Sequence, residues 1–487
     1  MLIDLPQQRP DFSTKLFDVC IIGGGVAGIT LAVKLGQAGR SVLLVEAGDR
    51  HFSATSQSYY RGDLGDLENL PLHETRIRAL GGSSNHWGGW CRTLDAYDFA
   101  RSDLSPDGAW PIGKPDIDPY FREAATILGI TEFNGADNDL ADADGNLQAI
   151  RMYFSKPPAN LGGKYLDELR QSKNITLMVN AAYLSATFDN NNPIVNAIAL
   201  HDQGSPSPLI CKARLFVFAM GAVENVRHLL ILNRKNGDRF AEISGNLGRY
   251  YMQHLHQELG QFVILKQDAT PEFAKGVRAA FMAATEKYLR SNGCGAFRLY
   301  TTRLTNCSEL IDRFRNVVTG ASCHGAASAG TVSITCEQIP FADSRILLTG
   351  KEDEQGQPRV KLDWRIADGD RATMREAALE FGRYLIHADI GRLNVNPAVL
   401  SSVHPLQGWT ALSAAPGAAG HQMGGARMSS KAIDGVVDKD CRVWGVSNLY
   451  AAGSAVFRTC GHATPTLTIT QLALRLADTL NRKLARQ

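Results

Sequence analysis

Three glycines near the start of the chain have the spacing G-x-G-x-x-G, which suits the binding of a dinucleotide. Gly23, Gly25 and Gly28 follow an apolar run short enough to be a buried strand, and a helix-period pattern comes after them. Gly23 allows the tight turn, Gly25 lets backbone approach a pyrophosphate, and Gly28 lets the helix pack on the strand. The first N–H groups of that helix would face the phosphates. The stretch therefore predicts a βαβ unit that binds a dinucleotide.

A carboxylate stands at the end of the second apolar run of this unit. Val42–Val45 is followed by Glu46, at the distance from the glycines where a carboxylate can accept both ribose hydroxyls. The same negative charge would repel a 2′-phosphate, which disfavours NADP. This stretch alone leaves NAD and FAD open.

A second glycine-rich stretch, Leu80–Trp90, reads LGGSSNHWGGW and cannot form a regular helix or strand. Its glycines, Gly82 among them, permit backbone to lie against a flat or charged group. Ser83 and Asn85 offer hydrogen bonds, and two tryptophans argue against a freely exposed loop. We expect this loop to contact the phosphates and the ring of the cofactor.

Length and composition limit the class of protein. A chain of 487 residues can bury more than one core, so two domains are expected. The net charge of +2, with acids and bases interspersed, gives no support for a nucleic-acid or membrane surface. Nine scattered cysteines without a C-x-x-C pair indicate reduced thiols rather than disulfides or a metal site. With no signal peptide and no apolar run long enough to span a bilayer, the prediction is a cytoplasmic protein.

The remaining elements are expected to alternate between two architectures. Leu215–Ala219 is a second buried strand that ends in a glycine turn before a helix, and such units indicate a mainly parallel, doubly wound sheet. Glu258–Leu265 alternates like a half-buried antiparallel strand, and Ala367–Gly391 reads as an amphipathic helix. This pattern predicts an α+β domain inserted in the first. Asp268–Gly330 has little pattern, and we expect loops there that cover a pocket.

The last eighty residues are dense in motifs again, with HQMGGARM beginning at His421 and TCGHATPTLT over Thr459–Thr468. Together with IIGGGVAG, LGGSSNHWGG, FAMGAVENVRHLL and GRYYMQH, in this order, they make the chain resemble the GMC (glucose–methanol–choline) flavin oxidoreductases. The N-H-W tripeptide and the SRILL…DW stretch resemble the pyranose 2-oxidase and sugar-dehydrogenase branch. The resemblance covers both ends of the chain, and the middle has little that matches.

The resemblance implies an α/β fold in which a Rossmann-like FAD-binding domain carries an inserted α+β substrate-binding domain. Residues 1–255 and 405–487 would form the first domain and residues 256–404 the second. FAD would be held by the glycine fingerprint and Glu46, with Ala182 near the adenine and Gly453 near the pyrophosphate. Thr464 and Pro465 would also contact the cofactor.

The resemblance also implies hydride transfer from a C–H next to a hydroxyl to flavin N5, while a base takes the hydroxyl proton. His421 matches the family's histidine, whose ordinary pKa near working pH suits a proton acceptor. The family usually has Asn or His before Pro-Thr-Leu-Thr, where this chain has Thr464. A threonine hydroxyl can bond a substrate oxygen but cannot act as a base, so His462 is a candidate replacement.

Three further histidines belong to matched motifs. In some members the histidine of the H-W dipeptide, here His86, can carry a covalent link to the flavin 8α carbon. We expect contact of His86 with the flavin, and a covalent link is not favoured. His254 and His256 match the family's pattern only loosely and are expected to be structural.

The expected function is oxidation of a secondary CH–OH group of a sugar or glycoside to a ketone, as in pyranose oxidases or glycoside 3-oxidases. The electron acceptor would be oxygen or a quinone. Two alternatives remain open. One is oxidation of an apolar alcohol such as a sterol or a natural product, which an apolar lining from Asp268–Gly330 and Leu400–Trp409 would favour. The other is a non-redox flavin lyase on the same fold.

Overall fold

Two large hydrophobic cores, each built on its own sheet, organise the chain. A computed structural model describes residues 1–65, 71–101, 109–131, 145–189, 193–201, 205–237, 243–265, 279–303, 328–401 and 421–486. The strands are β1 (Leu2–Asp4), β2 (Leu16–Ile22), β3 (Val42–Val45), β4 (Asp63–Leu64), β5 (Trp90–Cys91), β6 (Leu147–Ala149), β7 (Tyr153–Phe154), β8 (Ile175–Val179), β9 (Ala182–Phe188), β10 (Val195–His201), β11 (Leu209–Phe218), β12 (Leu255–Ile264), β13 (Ala279–Ala284), β14 (Phe297–Arg303), β15 (Ser328–Cys336), β16 (Arg345–Glu352), β17 (Pro358–Asp363), β18 (Gly391–Val395) and β19 (Leu449–Ala451). The α-helices are α1 (Val26–Gln37), α2 (Ala54–Ser58), α3 (Ala96–Ala100), α4 (Phe121–Ile127), α5 (Leu161–Gln171), α6 (Ala222–Lys235), α7 (Glu286–Asn292), α8 (Asp368–His387), α9 (Pro397–Leu400) and α10 (Pro465–Ala485).

The first sheet is mainly parallel and carries the glycine fingerprint. Its order is β1-β8-β3-β2-β11-β10-β9, and β19 pairs with the carboxyl-terminal half of β11. The five strands β1, β8, β3, β2 and β11 run parallel to one another. Strand β10 pairs antiparallel with β11, and β9 pairs antiparallel with β10. Strands β2, β3 and β11 end in continuous buried apolar runs, as expected for strands covered on both faces. The predicted β2–α1–β3 unit is confirmed.

The second sheet is antiparallel throughout, with the order β18-β12-β15-β14-β13-β6. Helix α8 packs on one face of it through Ala377, Phe381 and Leu385, all fully buried. The predicted strand at Glu258–Leu265 overlaps β12 up to Ile264, and the predicted helix over Ala367–Gly391 corresponds to α8. A mixed α/β fold with a parallel and an antiparallel sheet is therefore present, as predicted.

The sheets also show how the chain crosses between the two cores. Strand β6, from the first part of the chain, forms an edge of the antiparallel sheet. Strand β17 pairs with both β16 and β4. The side chains of Ile346 on β16 and of Val360 and Leu362 on β17 are buried in the first core. The division at residues 256 and 404 stays a prediction.

One expectation about the middle of the chain was wrong. Asp268–Gly330 was expected to be loops, but its described part forms β13, α7, β14 and the start of β15. Residues 304–327 of this stretch, and residues 402–409 of the other segment named as a pocket lining, lie outside the described residues. None of the described helices is long and apolar enough to cross a membrane.

Candidate active site

A cavity of about 580 Å³ is lined by residues from both sheets. One wall, called here the glycine wall, lies at the carboxyl ends of β2, β3 and β11 and contains Gly23, Gly25 and Glu46. A second part of the lining, called the histidine wall, contains His256 and His421. The carboxyl ends of parallel strands are the usual place for a ligand in such sheets, and the volume suits a small molecule or cofactor.

The fingerprint glycines have two different structural roles. A Cβ on Gly23, whose φ is +110°, would lie 2.5 Å from the Ala219 carbonyl oxygen, and one on Gly28 would lie 1.8 Å from the Gly23 carbonyl oxygen. These two glycines therefore allow α1 to pack against β2 and β11. A Cβ on Gly25 would meet nothing within 4 Å, because Gly25 borders the cavity. Gly28 does not line the cavity itself.

Three helices begin at this cavity without a side-chain cap. The N-cap residues of α1, α6 and α10 are Gly25, Gly221 and Thr464, and none of their side chains accepts a hydrogen bond from the helix. Gly453 also lines the cavity and precedes a short 3₁₀ turn, and a Cβ there would again meet nothing within 4 Å. The free N–H groups and positive dipole ends of these helices favour an anionic or electron-rich ligand.

Glu46 is held in place by backbone groups on both of its carboxylate oxygens. Its Oε2 accepts from the Gly24 N–H at 2.8 Å and its Oε1 from the Gly48 N–H at 2.7 Å. Each oxygen retains lone-pair capacity, and the residue lines the cavity. The structure therefore orients this carboxylate. Its predicted contact with a ribose stays a prediction.

The loop Leu80–Trp90 is tied to the fingerprint by a hydrogen bond of 2.8 Å from the Gly81 N–H to the Gly24 carbonyl oxygen. Gly82, Ser83 and His86 of this loop line the cavity. Their contact with the cofactor stays a prediction. Asn85 does not line the cavity. Its amide donates to the carbonyl oxygens of Leu80 and Gly82, at 3.0 and 2.8 Å, so it stabilises the loop.

Of the other predicted contact residues, three line the cavity and one does not. Ala182, Thr464 and Pro465 line the cavity. The Thr464 hydroxyl donates to the Trp90 carbonyl oxygen at 2.8 Å, so its own proton is already used. His462 does not line the cavity. It is buried, with Nε2 3.3 Å from an Asp95 carboxylate oxygen, and it therefore lies behind the wall rather than on it.

His421 is the predicted residue that the structure places most clearly for proton transfer. Its ring lines the cavity, and its Nδ1 lies 2.9 Å from Nδ1 of His254. The Nε2 of His254 lies 2.9 Å from the Gly461 carbonyl oxygen. His254, which was expected to be structural, is therefore the direct partner of His421.

These contacts assign the tautomers of both rings. A carbonyl oxygen only accepts, so Nε2 of His254 must carry its proton. Burial, with the charges of neighbouring His421 and Arg298, lowers the pKa of His254 well below its ordinary value, so the ring is neutral and its Nδ1 accepts. Nδ1 of His421 is then the donor. Nε2 of His421 keeps a free lone pair, and no other protein group among the described residues bonds to it.

Burial and, second, the charge of Arg298 lower the pKa of His421 to about 4. The imidazole is therefore neutral at physiological pH. Neutral imidazole is the form that accepts a proton.

The residues that sequence reasoning missed form a row across the antiparallel sheet. His256 on β12, Thr335 on β15 and Arg298 on β14 are direct neighbours in the strand register, and all three line the cavity. His256 Nδ1 lies 3.1 Å from the Thr335 hydroxyl, and its ring centroid is 5.9 Å from that of His421. Tyr300, two residues after Arg298, lines the same wall. The alternation of Arg298 and Tyr300 is a strand pattern, but it gives no sign of a pocket.

Comparisons with known proteins agree with this geometry. The family model described as GMC oxidoreductase matches residues 340–473, and a model described as FAD binding domain matches residues 18–60. The 2-methyl-1,2-propanediol dehydrogenase of Mycolicibacterium austroafricanum is 22% identical over 96% of this chain and 95% of its own length. The C-glycoside 3-oxidase of Microbacterium trichothecenolyticum is 33% identical over 31% of this chain and 26% of its own. The crystal structure of a pyridoxine 4-oxidase from "Mesorbium loti" has a TM-score of 0.56 at 17% identity, covering 95% of this chain and 99% of that one.

The cavity fits FAD, the cofactor that the matched FAD binding domain names. Open backbone at Gly25 and Gly453 and the uncapped start of α1 suit a diphosphate, and Glu46 faces the same space. The inserted antiparallel sheet supplies His256 and Arg298 to the same cavity. The chain therefore contains a GMC oxidoreductase domain and an FAD-binding domain, and it is an FAD-dependent oxidoreductase that acts on CH–OH groups.

Proposed function

We propose that this protein oxidises a secondary CH–OH group of a sugar or glycoside to a ketone, with His421 as the proton acceptor. The observation that carries the proposal is the hydrogen bond between His254 and His421, which leaves Nε2 of His421 as a lone-pair acceptor in the cavity. The similarity to a C-glycoside 3-oxidase, though limited to part of each chain, supports a glycoside as substrate.

The residues of the glycine wall would hold FAD. Gly25 and the start of α1 would receive the diphosphate, Glu46 the adenosine ribose, and Ala182 the adenine, while Gly453 borders the same path. When bound, FAD supplies an acceptor for the two electrons and the hydrogen that leave the substrate carbon as hydride.

The chain itself supplies the proton acceptor. The hydroxyl proton of the substrate passes to Nε2 of His421, which becomes cationic, and His254 stabilises that cation by accepting from Nδ1. His254 in turn is fixed by the Gly461 carbonyl oxygen. Positioned acid–base groups of this kind contribute about 10²- to 10⁴-fold in rate. Thr464 retains acceptor capacity and can orient the substrate hydroxyl without serving as a base.

A polar wall favours a substrate with several hydroxyls over a sterol. His256, Thr335, Tyr300 and Arg298 each bring a hydrogen-bonding group to the cavity. A wholly apolar ligand would leave these groups without partners, and unpaired polar groups in a closed site are costly. This contrast separates the proposal from oxidation of an apolar alcohol.

The proposal is tested by anaerobic reduction of the purified flavoprotein. We expect glucose or a glucoside, and not a sterol, to bleach the visible flavin absorption. His421→Ala should retain the flavin but slow its reduction by about 10²- to 10⁴-fold. Unchanged reduction in that variant would rule out His421 as the base. If no alcohol bleaches the flavin, a non-redox lyase becomes the better hypothesis.

The same preparation identifies the electron acceptor. Reoxidation of the reduced protein by oxygen or by a quinone should be compared directly, because flavin reactivity depends on access and electrostatics rather than on a motif. We further propose a cytoplasmic location. The seven cysteines within the described residues are all buried thiols, which supports a reducing compartment.

A further inference from the structure

Arg298 is a buried cation on the histidine wall. Its residue surface is 3% exposed, yet it lines the cavity from the middle of the antiparallel sheet. It neighbours Thr335 in the strand register and is close enough to His421 for its charge to lower the pKa of that ring. The guanidinium thus lies beside the proposed base, in the part of the cavity that the second sheet forms.

Among the described residues, no carboxylate neutralises this cation. One nitrogen, Nη1, donates to the His462 carbonyl oxygen, and Nε has no hydrogen-bond partner. Within the described parts of the chain, no carboxylate lies within 4 Å of Arg298. Burial and the nearby charge of Arg92 lower the pKa of Arg298 to about 10, which is the effect expected where no anion compensates the charge.

The three carboxylates of this region have other partners. Asp95 binds Arg92 at 2.8 Å and His462 at 3.3 Å. Asp98, which is fully buried, accepts from the Asp95 backbone N–H at 2.8 Å. Glu337 accepts from the backbone N–H groups of Cys460 and Gly461 at 3.2 and 3.1 Å. None of the three pairs with Arg298.

Two of the three other buried arginines that line the same cavity are neutralised by carboxylates. The third, Arg78, donates to the Ala47 carbonyl oxygen at 3.1 Å and to the Ser56 hydroxyl at 2.7 Å, beside Glu46 on the glycine wall. Arg76 lies 2.8 Å from Glu224, and Arg227 lies 3.2 Å from Glu224 and 2.6 Å from Asp353. Arg298 differs from both of them in lacking such an anion. Its bond to the His462 carbonyl oxygen does not explain the charge, because a neutral amide could donate that bond equally well.

We propose that Arg298 binds the carboxylate of an anionic substrate, a sugar acid such as a uronide or another hydroxy acid, whose CH–OH group then lies against His421. The inference rests on the proposed function and adds a charge to its substrate class. Guanidinium–carboxylate pairs are short and strong where water is excluded, so the substrate would supply the missing counterion. The carboxylate stays unchanged in the reaction. The hydroxyl proton goes to His421 and the hydride to the flavin. Amino sugars would be repelled.

The test compares two matched pairs of substrates on the FAD-loaded enzyme. The first is methyl β-D-glucopyranoside with methyl β-D-glucopyranosiduronate, and the second is 1,2-propanediol with lactate. In each pair we expect the acid to reduce the flavin anaerobically with a kcat/KM about 10- to 100-fold above that of the neutral alcohol, since hydrogen bonds to charged groups contribute on this scale. If the glucoside is as good as the glucuronide, the proposed function stands and the Arg298 inference is overturned.

Two variants separate charge from structure. Arg298→Gln keeps a donor for the His462 carbonyl oxygen but removes the charge, whereas Arg298→Lys keeps the charge. We expect Arg298→Gln to lose the preference for the acid, by about 10- to 100-fold, with the neutral alcohol changed far less. Arg298→Lys should retain part of the preference. The flavin content of each variant reports whether it is folded. An equal loss on both members of a pair would overturn the inference, because it would indicate a role independent of substrate charge.

Two other outcomes distinguish the sugar assignment from the anion site. If lactate reduces the flavin and both sugars fail, the sugar assignment is wrong while the anion site stands. If no acid either reduces the flavin or changes its visible spectrum on titration, the anion site is ruled out, whatever the neutral alcohols do.

Discussion

Nδ1 of His254 and Nδ1 of His421 lie 2.9 Å apart, although 167 residues separate them in the chain. His254 stands at the entry to β12, and its other nitrogen contacts the Gly461 carbonyl oxygen at 2.9 Å. A peptide carbonyl therefore determines, through His254, which nitrogen of His421 carries a proton. We infer that His254 is a positioning residue, since it acts on the substrate only through His421.

His254→Leu should slow flavin reduction by about 10- to 100-fold, the usual effect of losing a partner that orients a functional histidine. His254→Asn should recover most of the rate, because its amide can donate to Gly461 and accept from His421. Anaerobic stopped-flow reduction measures both variants. His387→Asn, exposed at the end of α8 and outside the cavity lining, is the control and should react as the unmodified protein does. Equal losses in the Leu and Asn variants would contradict this role.

The pH dependence of the reaction reports the state of His421. Because its pKa is lowered from 6.5 to about 4, the neutral base persists down to that pH and is lost below it. For a neutral alcohol we therefore expect kcat/KM to remain level from pH 8 to about 5 and to fall below about 4. Arg298→Gln removes the neighbouring positive charge and should move this acid limb toward higher pH, whereas Arg298→Lys should not. A limb near 6.5 in the unmodified enzyme would contradict the burial of His421.

The parts of the fold that sequence predicts well are those that depend on neighbouring residues. The β2–α1–β3 unit follows from apolar runs, glycine spacing and one acid within thirty residues, and the open backbone of Gly25 and the packing role of Gly28 are both present. The register of α10 is equally local, because Leu472, Leu476 and Leu480 follow one another at a spacing of four residues and all three are buried.

The parts that sequence misses depend on pairing between distant segments. His256, Thr335 and Arg298 become one row only because β12, β15 and β14 pair in a particular register. The amino-acid sequence around Arg298 does not indicate that this residue lines a cavity. His462 shows the converse, because its motif suggested a site residue while the fold directs it toward Asp95.

Among the three fingerprint glycines, Gly25 should be the one at which a larger side chain most directly blocks FAD binding in the cavity. A Cβ there meets no protein atom within 4 Å, so Gly25→Val should fold but occupy the space of the diphosphate. We expect the purified variant to lose most of its FAD, measured as the flavin-to-protein absorbance ratio. Gly350→Val is the control. It lies on the exposed part of β16, where a Cβ likewise meets nothing, and it should stay yellow. Full flavin content in Gly25→Val would contradict the assigned path of the cofactor.

His86 lines the cavity, but among the described residues no hydrogen bond holds its imidazole in one orientation. A covalent link to the flavin requires a ring fixed at the attacking angle, so we expect FAD to be bound without a covalent bond. Acid precipitation should leave a colourless pellet and a yellow supernatant. A yellow pellet that becomes colourless in His86→Ala would show the covalent link instead.

Glu224 should contribute strongly to stability. Burial would raise its pKa, but the charges of Arg227 and Arg76 outweigh that effect and lower it to about 2. A carboxylate whose folded pKa lies below its unfolded value of 4.5 stabilises the fold fully above pH 4.5, and this contribution is lost as the pH falls from 4.5 toward 2. The difference corresponds to about 3 kcal/mol.

Glu224→Gln should therefore lower the free energy of unfolding at pH 7 by about 3 kcal/mol, with the loss shrinking as the pH approaches 2. Urea titrations at several pH values, with FAD removed because Glu224 lines the cavity, measure this directly. Glu354→Gln is the matched control, since Glu354 pairs with Arg359 at 3.0 Å but is half exposed, and it should change stability by less than about 1 kcal/mol. A loss in Glu224→Gln that does not vary with pH would show that the side chain acts by packing rather than by its charge.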